Sequence, residues 1–586
     1  MLEENYVRAK AAAILLVLMS FSVHSQQPTA PSKPDEPATG TLDGRVVNES
    51  GQPLVGAAVY VRAVGLANLG RTTVTDSDGN FQISGLDPAA YTVSALLPAY
   101  TTIPRDPDDP TNYYRAGDSV RLQLIKGGII TGTVTTVAGD PVVAVRVRAY
   151  LVRDANGRTP KSAIAPFGER STDDRGVYRI FGLAPGTYLV YAGGSGFGMV
   201  NAYDSDTPTY APSSTRDTAA PIVVRAGEES NVDIRYRGEP GHTVSGTVRV
   251  QGSTGASLML VPAGSGFLPA GNTFQPPGSR GFSFSGVSDG DYDLMAQETI
   301  SPQGAYSPEI AVSEPQRITV KGADITGIEM ATKPLLSISG RIALESSRAP
   351  ECERKRRPLF AETLVSLKRN QQSSEKEHLQ FLRFYAIPAL PDKEGAFVLH
   401  NVPAGQYTFS PRFFAHYWYL QSIFRPNITP GGTGKAAPTN QRIDAARNWT
   451  TVKPGDHITG LAITLAEGAG SLRGQVTAQE GARLPARVSV YLVPAEREKA
   501  DDVLRFFAAA VSDDGSFALS NLPPGRYLAI AQTAMENEPD TTDKLRLPDA
   551  MDSRLKLRRD AENLKLETEL KACQNVTDFR LPIKPH

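Results

Sequence analysis

Phe81-Gln-Ile-Ser-Gly-Leu86, closed by Tyr91, is a phrase that the chain repeats. It returns as Tyr178-Arg-Ile-Phe-Gly-Leu183 with Tyr188, Phe282-Ser-Phe-Ser-Gly-Val287 with Tyr292, Phe397-Val-Leu-His-Asn-Val402 with Tyr407, and Phe517-Ala-Leu-Ser-Asn-Leu522 with Tyr527. In every copy the leading aromatic and the closing Tyr stand ten residues apart, whereas the distance between copies varies widely. A fixed phrase at variable spacing marks one folding unit used five times. Phe81 and Ile83, then Tyr91 and Val93, have the two-residue period of half-buried strands, so each phrase reads as two antiparallel strands joined by a tight turn. Pro185-Gly186, Pro523-Pro524-Gly525, Ala404-Gly405 and Asp289-Gly290 supply that turn. Pro presets φ and Gly accepts the positive values that a quick reversal needs. A second turn, Asp78-Gly79, Arg175-Gly176, Glu394-Gly395 or Asp514-Gly515, sits two residues ahead of the aromatic. The third copy has Arg280-Gly281 instead, shifted by one residue, and is expected to be irregular.

Comparison of the copies finds further strands. Upstream lies a segment opening on Gly-x-Val or close to it: Gly44-Arg-Val46, Gly132-Thr-Val134, Gly246-Thr-Val248, Gly340-Arg-Ile342 and Gly474-Gln-Val476. A second alternating segment follows, as in Val145-Arg-Val-Arg-Ala149 and Val488-Ser-Val-Tyr-Leu492. Downstream, units close on a turn and a last strand, such as Val120-Arg-Leu-Gln-Leu124, Leu461-Ala-Ile-Thr-Leu465 and Val576-Thr-Asp-Phe-Arg-Leu581. About seven short strands per unit, parted by Gly, Pro and Asp turns, is the pattern of an Ig-like sandwich. The expected fold class is therefore all-β, a tandem array of about five Ig-like or transthyretin-like antiparallel sandwiches. Their expected spans are 40–126, 127–237, 240–333, 336–466 with a long polar insertion at 346–390, and 469–584. One departure is expected: Pro548 to about Leu570 is rich in Leu, Lys, Arg, Glu and Ala, with Leu555, Leu557, Ala561 and Leu564 near helical spacing, so a short helix should precede the last strand.

A chain of 586 residues is too long for one core and suits several domains. Its net charge of −1 argues against nucleic acid as a partner, and the basic run Glu353-Arg-Lys-Arg-Arg357 reads as a solvated loop. At the N-terminus, Arg8 and Lys10 precede an apolar stretch from Ala11 to Val23, short for a bilayer span and right for a signal-peptide core. Residues 1–25 are expected to be that signal peptide, cleaved after Ser25, with 26–39 a linker. Glu3 and Glu4 leave an uncleaved anchor open. Beyond the signal peptide no membrane span is expected, and the location is periplasmic, cell-surface or secreted. Cys352 and Cys573 fall in different units, and although export permits a disulfide, nothing in the sequence says that they meet. Stability is assigned mainly to five cores.

The motifs of catalysis are missing. Seven histidines are scattered without a His-Glu-x-x-His pair, no Cys-x-x-Cys exists, and no Gly-x-Ser-x-Gly elbow appears. Gly434-Lys435 is followed by Ala436 where a phosphate loop requires Ser or Thr. Asp76-Ser-Asp78-Gly79-Asn80 resembles a calcium loop, but its Gly comes too early and its place coincides with the repeated turn. No metal, cofactor or catalytic residue is expected. The richest aromatic stretch, Phe413-Phe-Ala-His-Tyr-Trp-Tyr-Leu420, makes Tyr417, Trp418 and Tyr419 candidate ligand-binding residues, since exposed rings stack on glycan faces. The alternative is that these rings fill the core of the fourth unit. On a strand they cannot all point inward.

The first unit strings together Gly44-Arg-Val46, Asn48-Glu-Ser-Gly51-Gln-Pro-Leu54, Asp78-Gly79-Asn-Phe81 and Gly85-Leu86-Asp-Pro-Ala-Ala-Tyr91. In this it resembles the carboxypeptidase regulatory-like domain, and the second and fifth units resemble it as well. The third unit lacks the Asp-Gly turn and the fourth carries the insertion, so these two follow by phrase and order. The resemblance implies a seven-stranded transthyretin-like sandwich, related to Cna-B modules and grouped with carbohydrate-binding-like folds. Related Cna-B modules carry a Lys–Asn isopeptide bond, but Arg45, Thr133, Thr247, Arg341 and Gln475 stand after the first-strand Gly, so none is expected. Such modules serve as peptidase appendages, adhesin stalks and receptor plugs, so function is constrained less than fold. Two function classes follow. The first is a non-catalytic exported array of the bacterial envelope or surface, with a glycan or an envelope protein as partner; the second is a hydrolase whose site is assembled from the insertions.

Overall fold

The computed structural model describes residues 39–586 apart from 66–69, 103–110, 159–167, 196–200, 251–254, 264–269, 280, 299–309, 371–387, 427–441, 454–455, 479–483, 486, 534–541 and 584–586. The expected signal peptide, the expected linker to residue 38, Gly434-Lys435 and much of the expected insertion in the fourth unit lie outside the described residues.

Five β-sandwiches follow one another, built on one plan. The first strand of each (Gly40–Val47, Gly128–Thr135, His242–Arg249, Leu336–Glu345, Gly470–Thr477) is central in its sheet. It pairs antiparallel with the strand that carries the leading aromatic and, in all five units, parallel with the closing strand. In the opposite sheet the second strand pairs antiparallel with the strand that carries the closing Tyr, for example Ala58–Ala63 with Tyr91–Leu96 and Val488–Pro494 with Gly525–Thr533. The phrase is therefore not a hairpin. Its two strands lie in different sheets, and the turn between them crosses the core; alternation shows which side chains face inward but not which neighbour a strand pairs with.

The five leading aromatics are equivalent. Phe81, Tyr178, Phe282, Phe397 and Phe517 stand opposite Gly44, Gly132, Gly246, Gly340 and Gly474 in the ladder, and each is at most 5% exposed. The glycine is required from behind: a Cβ there would lie 2.1, 2.0, 2.1, 2.4 or 1.9 Å from a carbonyl oxygen of the closing strand, at Val120, Val232, Ile328, Leu461 and Phe579 respectively. The Gly or Asn of the phrase is the left-handed residue that starts the crossing, with φ of 69°, 73°, 69°, 59° and 56° at Gly85, Gly182, Gly286, Asn401 and Asn521. These are the residue types that tolerate that region. The closing Tyr then locks the corner. Tyr91, Tyr188, Tyr292, Tyr407 and Tyr527 each donate their hydroxyl to the carbonyl four residues back, at Asp87, Ala184, Ser288, Pro403 and Pro523, over 2.7–2.8 Å. Burial pushes the Tyr292 phenol up to about 12, so the hydroxyl stays a donor.

Asp76 accepts from the amides of Asp78 and Asn80, and Asp173 and Asp392 do the same for their turns. The calcium-like stretch is thus an Asx turn before the aromatic. The third unit is irregular as expected: its turn is made at Gly278, and the strand Ile325–Pro334 also pairs with Ala311–Ser313, joining its sheets into one eight-stranded sheet. The C-terminal helix covers Met551–Leu564 and is preceded by the single turn Thr542–Leu545. Leu557 and Ala561 pack on Tyr491, Val493, Leu528 and Ile530, with Arg554 and Arg558 on the same buried face. Leu555 is 45% exposed, because two residues along a helix from Leu557 turn a side chain by about 200°, to the opposite side. The helix ends at Lys565, which is left-handed with φ 51°, so Glu567–Leu570 is free to add an edge strand.

The phrase has a second role, at the joints. In the second unit Gly182 abuts Gly127, the residue where the chain enters that unit, whose Cβ would meet Gly182 Cα at 2.5 Å. In the third, a Cβ on Gly286 would meet the carbonyls of Asp204 and Asp206 of the second unit, both at 2.6 Å. In the fourth, Asn401 Oδ1 accepts from the Ile310 amide of the third unit at 2.8 Å. In the fifth, Asn521 Nδ2 donates to the carbonyls of Ala415 and Trp418 of the fourth, at 2.8 and 2.7 Å. The corner residue is Gly where backbones touch and Asn where a side chain bridges the gap. We expect Asn521→Gly, which keeps the left-handed backbone, to cost about 1–3 kcal/mol in the coupling of the fourth and fifth units by removing two hydrogen bonds. Calorimetry should then resolve a separate transition for the fifth unit, and an unchanged single transition would refute the joint.

Cys352 and Cys573 are disulfide-bonded, with an S–S distance of 2.06 Å across 221 residues of sequence. The bond answers what sequence spacing left open. Cys352 ends the short turn Pro350–Cys352 in the fourth unit, while the Cys573 amide donates to the carbonyl of Gly468 in the linker between the fourth and fifth units. It fixes the same joint as Asn521.

Candidate functional site

The aromatic stretch of the fourth unit lies at this joint. Trp418 begins the strand Trp418–Pro426, which pairs with His457–Glu467, and its ring is fully buried in the core with Phe397, Tyr407 and Leu465. The core alternative is the one this ring follows; it presents no face to a ligand. Alternation turns its neighbours the other way, and both are half-buried. Tyr417 lies under the ammonium of Lys355 at 4.6 Å, its hydroxyl meets Asn575 Nδ2 of the fifth unit at 3.1 Å, and its carbonyl accepts from the Gly468 and Ala469 amides. Burial pushes the Tyr419 phenol up. The three candidates are thus not brought together as one platform. They divide between the core and the joint.

A concave site opens beside them where the first, fourth and fifth units meet. A cavity of about 340 Å³ is lined by Tyr113 of the first unit, Arg412, Phe413 and Phe414 of the fourth, and Phe507, Asn521 and Arg546 of the fifth, among others. A second cavity of about 160 Å³ shares Pro411, Arg412, Leu420, Leu504 and Arg546 with it and adds Lys368 and Asp543. Each polar group is placed by a distinct element. Lys368 lies on Leu364–Arg369, Arg412 ends Gly405–Arg412, and Asp543 is in the turn Thr542–Leu545 with Arg546 just beyond. Lys368 Nζ meets Asp543 Oδ2 at 2.6 Å, with Arg412 Nη2 3.8 Å from the same oxygen. Arg546 donates to the carbonyls of Leu504 and Phe506 and stacks 4.5 Å over the Phe507 ring.

Burial lowers Lys368 and brings Arg546 down to about 10. Burial opposes the Asp543 charge, but Lys368, then Arg412 and Arg546, hold its carboxyl below the usual carboxylate range. The first unit closes the wall: Arg412 Nη1 donates to the Thr111 carbonyl at 2.8 Å and its guanidinium lies 5.8 Å from the Tyr113 ring, while Val64, Ala90, Leu364, Leu390 and Phe414 cluster at the same contact. Lys368, Arg412, Asp543 and Arg546 were not singled out in the sequence. The local signal was a basic residue inside an aromatic run, Pro411-Arg412-Phe413-Phe414. Among the described residues no group of three His, Cys, Asp or Glu side chains is placed to hold a metal ion, and no helix is long and apolar enough to cross a membrane.

Residues 41–112 match the family model of the carboxypeptidase regulatory-like domain. No curated protein matches the chain. Among solved structures, the TIE protein of Bacillus anthracis is 15% identical over 50% of this chain and 51% of its own, with a TM-score of 0.13, so the chain spans about half the length of that protein. A minor pilin of Streptococcus agalactiae is 13% identical over 34% of this chain and 96% of its own, with a TM-score of 0.18. The shaft pilin SpaA of Lactobacillus rhamnosus GG is 10% identical over 34% of this chain and 98% of its own, with a TM-score of 0.16. The family match runs from the first strand of the first sandwich through its phrase, the segment whose equivalents recur in the other four.

Proposed function

We propose that this chain is an exported, non-catalytic scaffold of the bacterial envelope or surface, in which sandwiches spanning 40–126, 127–237, 240–333, 336–466 and 469–584 hold a composite surface in fixed register for a partner. The observation that carries the reading is the set of joints made by the repeated phrase itself. At 401 and 521 the corner residue is Asn, which accepts the left-handed backbone as Gly does and adds a side chain that bonds the preceding unit. The contact of the first unit with the fourth, through Arg412 and Thr111, adds a tie between units distant in sequence. The Cys352–Cys573 bond supports export, because such bonds persist in oxidising compartments and are rare where thiols are kept reduced. A glycan or an envelope protein fits the partner role, with its contact surface at the meeting of the first, fourth and fifth units.

Thiol trapping tests the reading in cells that make the chain. Alkylation followed by mass spectrometry should find Cys352 and Cys573 oxidised in chain recovered from the envelope or medium, with the new N-terminus at Gln26. Reduced cysteines in chain retained in the cytoplasm would overturn it.

A further inference from the structure

The meeting of three sandwiches has an excess of positive charge. Lys368, Arg412 and Arg546 face one carboxylate, Asp543, which leaves a charge of 3 − 1 = +2 in the crevice. Two neighbouring pairs leave that sum unchanged: Arg115 pairs with Asp118, and Asp502, which also feels Arg546, pairs with Arg505, each at 3.4 Å. The site is reachable, since the side chains of Lys368, Arg412 and Asp543 are each 31% exposed. Two guanidiniums are held against rings, Arg412 at Tyr113 and Arg546 over Phe507. Arg546 spends Nε and Nη2 on the Phe506 and Leu504 carbonyls and contributes charge, while Arg412 spends Nη1 on Thr111 and keeps its Nε–Nη2 edge for the paired hydrogen bonds that suit a carboxylate. Phe413 and Phe414 add apolar wall, and Ser520 and Asn521 add polar groups. About 340 Å³, with a further 160 Å³ beside it, is room for a small molecule.

We propose that this crevice binds a small organic carboxylate borne on a ring, with the carboxylate taken by Arg412 and Lys368 and the ring set against the aromatic wall. Asp543 occupies part of the cationic site as an internal competitor. The ligand chemistry is common to acidic sugars and aryl acids. This proposal rests on the scaffold reading for its site, the meeting of the first, fourth and fifth units, and names the ligand chemistry there; the titration tests the crevice and the thiol trapping tests the compartment, so the two fail separately.

Calorimetric titration of the mature full-length chain is the test, with galacturonate and 4-hydroxybenzoate as probes and galactose and 4-hydroxybenzamide as their neutral counterparts. At least one carboxylate should bind, and its neutral counterpart should bind at least about tenfold more weakly, the effect of losing charge-assisted hydrogen bonds. Which carboxylate binds identifies the source. Arg412→Gln should weaken that binding by about tenfold or more. Asp543→Asn acts in the opposite direction: removal of the internal carboxylate should tighten binding, a result that partial unfolding cannot imitate. Failure of both carboxylates to bind, equal affinity for the neutral counterparts, or weaker binding to the Asp543→Asn chain would overturn the proposal.

Discussion

Trp418→Ala should cost about 3–5 kcal/mol of stability, the range for emptying a large aromatic site in a packed core. The ring is fully buried and packs in a cluster drawn from both sheets of the fourth sandwich, including Phe397 of the repeated phrase and Tyr407 of its corner. Its backbone is tied as well, since the Trp418 carbonyl takes one of the two hydrogen bonds from Asn521. The vacated space lies next to the joint, so the fifth unit should loosen along with the fourth. Trp418→Phe separates volume from chemistry: it keeps most of the buried area and removes an indole N–H that has no hydrogen-bond partner among the described residues, so its cost should be much the smaller. Denaturant unfolding of the three chains measures both. A Trp418→Ala chain as stable as the parent would contradict the core placement and return the ring to the surface.

What could be read from sequence, and what could not, follows from range. The phrase was legible because each of its positions answers to a local demand: a left-handed residue at Gly85 or Asn521, an inward ring at Phe81 or Phe517, and a hydroxyl that reaches back four residues at Tyr91 or Tyr527. The helix was legible from composition and near-helical spacing, which did not say that Leu557 and Ala561 face inward while Leu555 faces out. Strand partnership was not legible, because alternation is the same whether Tyr91 continues a hairpin or crosses to the opposite sheet. The disulfide was not legible either, since 221 residues of spacing say nothing of distance in space. The crevice draws Thr111 and Arg412 together across 301 residues, and only tertiary packing brings them there. Asn at the fourth and fifth corners meets the same left-handed demand as Gly, so the bonds its side chain makes to the preceding unit are seen only in the structure.

A single methyl group at Gly474 should be nearly as damaging as the loss of Trp418. A Cβ added at Gly474 would lie 1.9 Å from the Phe579 carbonyl oxygen, 2.7 Å from its carbon and 3.0 Å from its Cα, so it meets backbone that cannot swing aside as a side-chain tip could. That backbone is already committed. The closing strand shifts register between Leu472 and Gly474, and Asp578, with φ 62°, brings Phe579 into place beside the glycine. To admit the methyl group the parallel pair must part, which breaks ladder bonds and disturbs the strand that holds Phe517 opposite Gly474. Overpacking of this kind costs about 1–3 kcal/mol and sometimes more, and clash with backbone on a central strand places Gly474→Ala at the upper end. Gly281→Ala is the matched control, because its Cβ would meet nothing closer than 3.9 Å and its φ is not left-handed. Chemical denaturation should therefore show a large loss for Gly474→Ala and almost none for Gly281→Ala. Equal and small losses would mean that the five first-strand glycines are tolerated as small residues and not required by the carbonyls behind them.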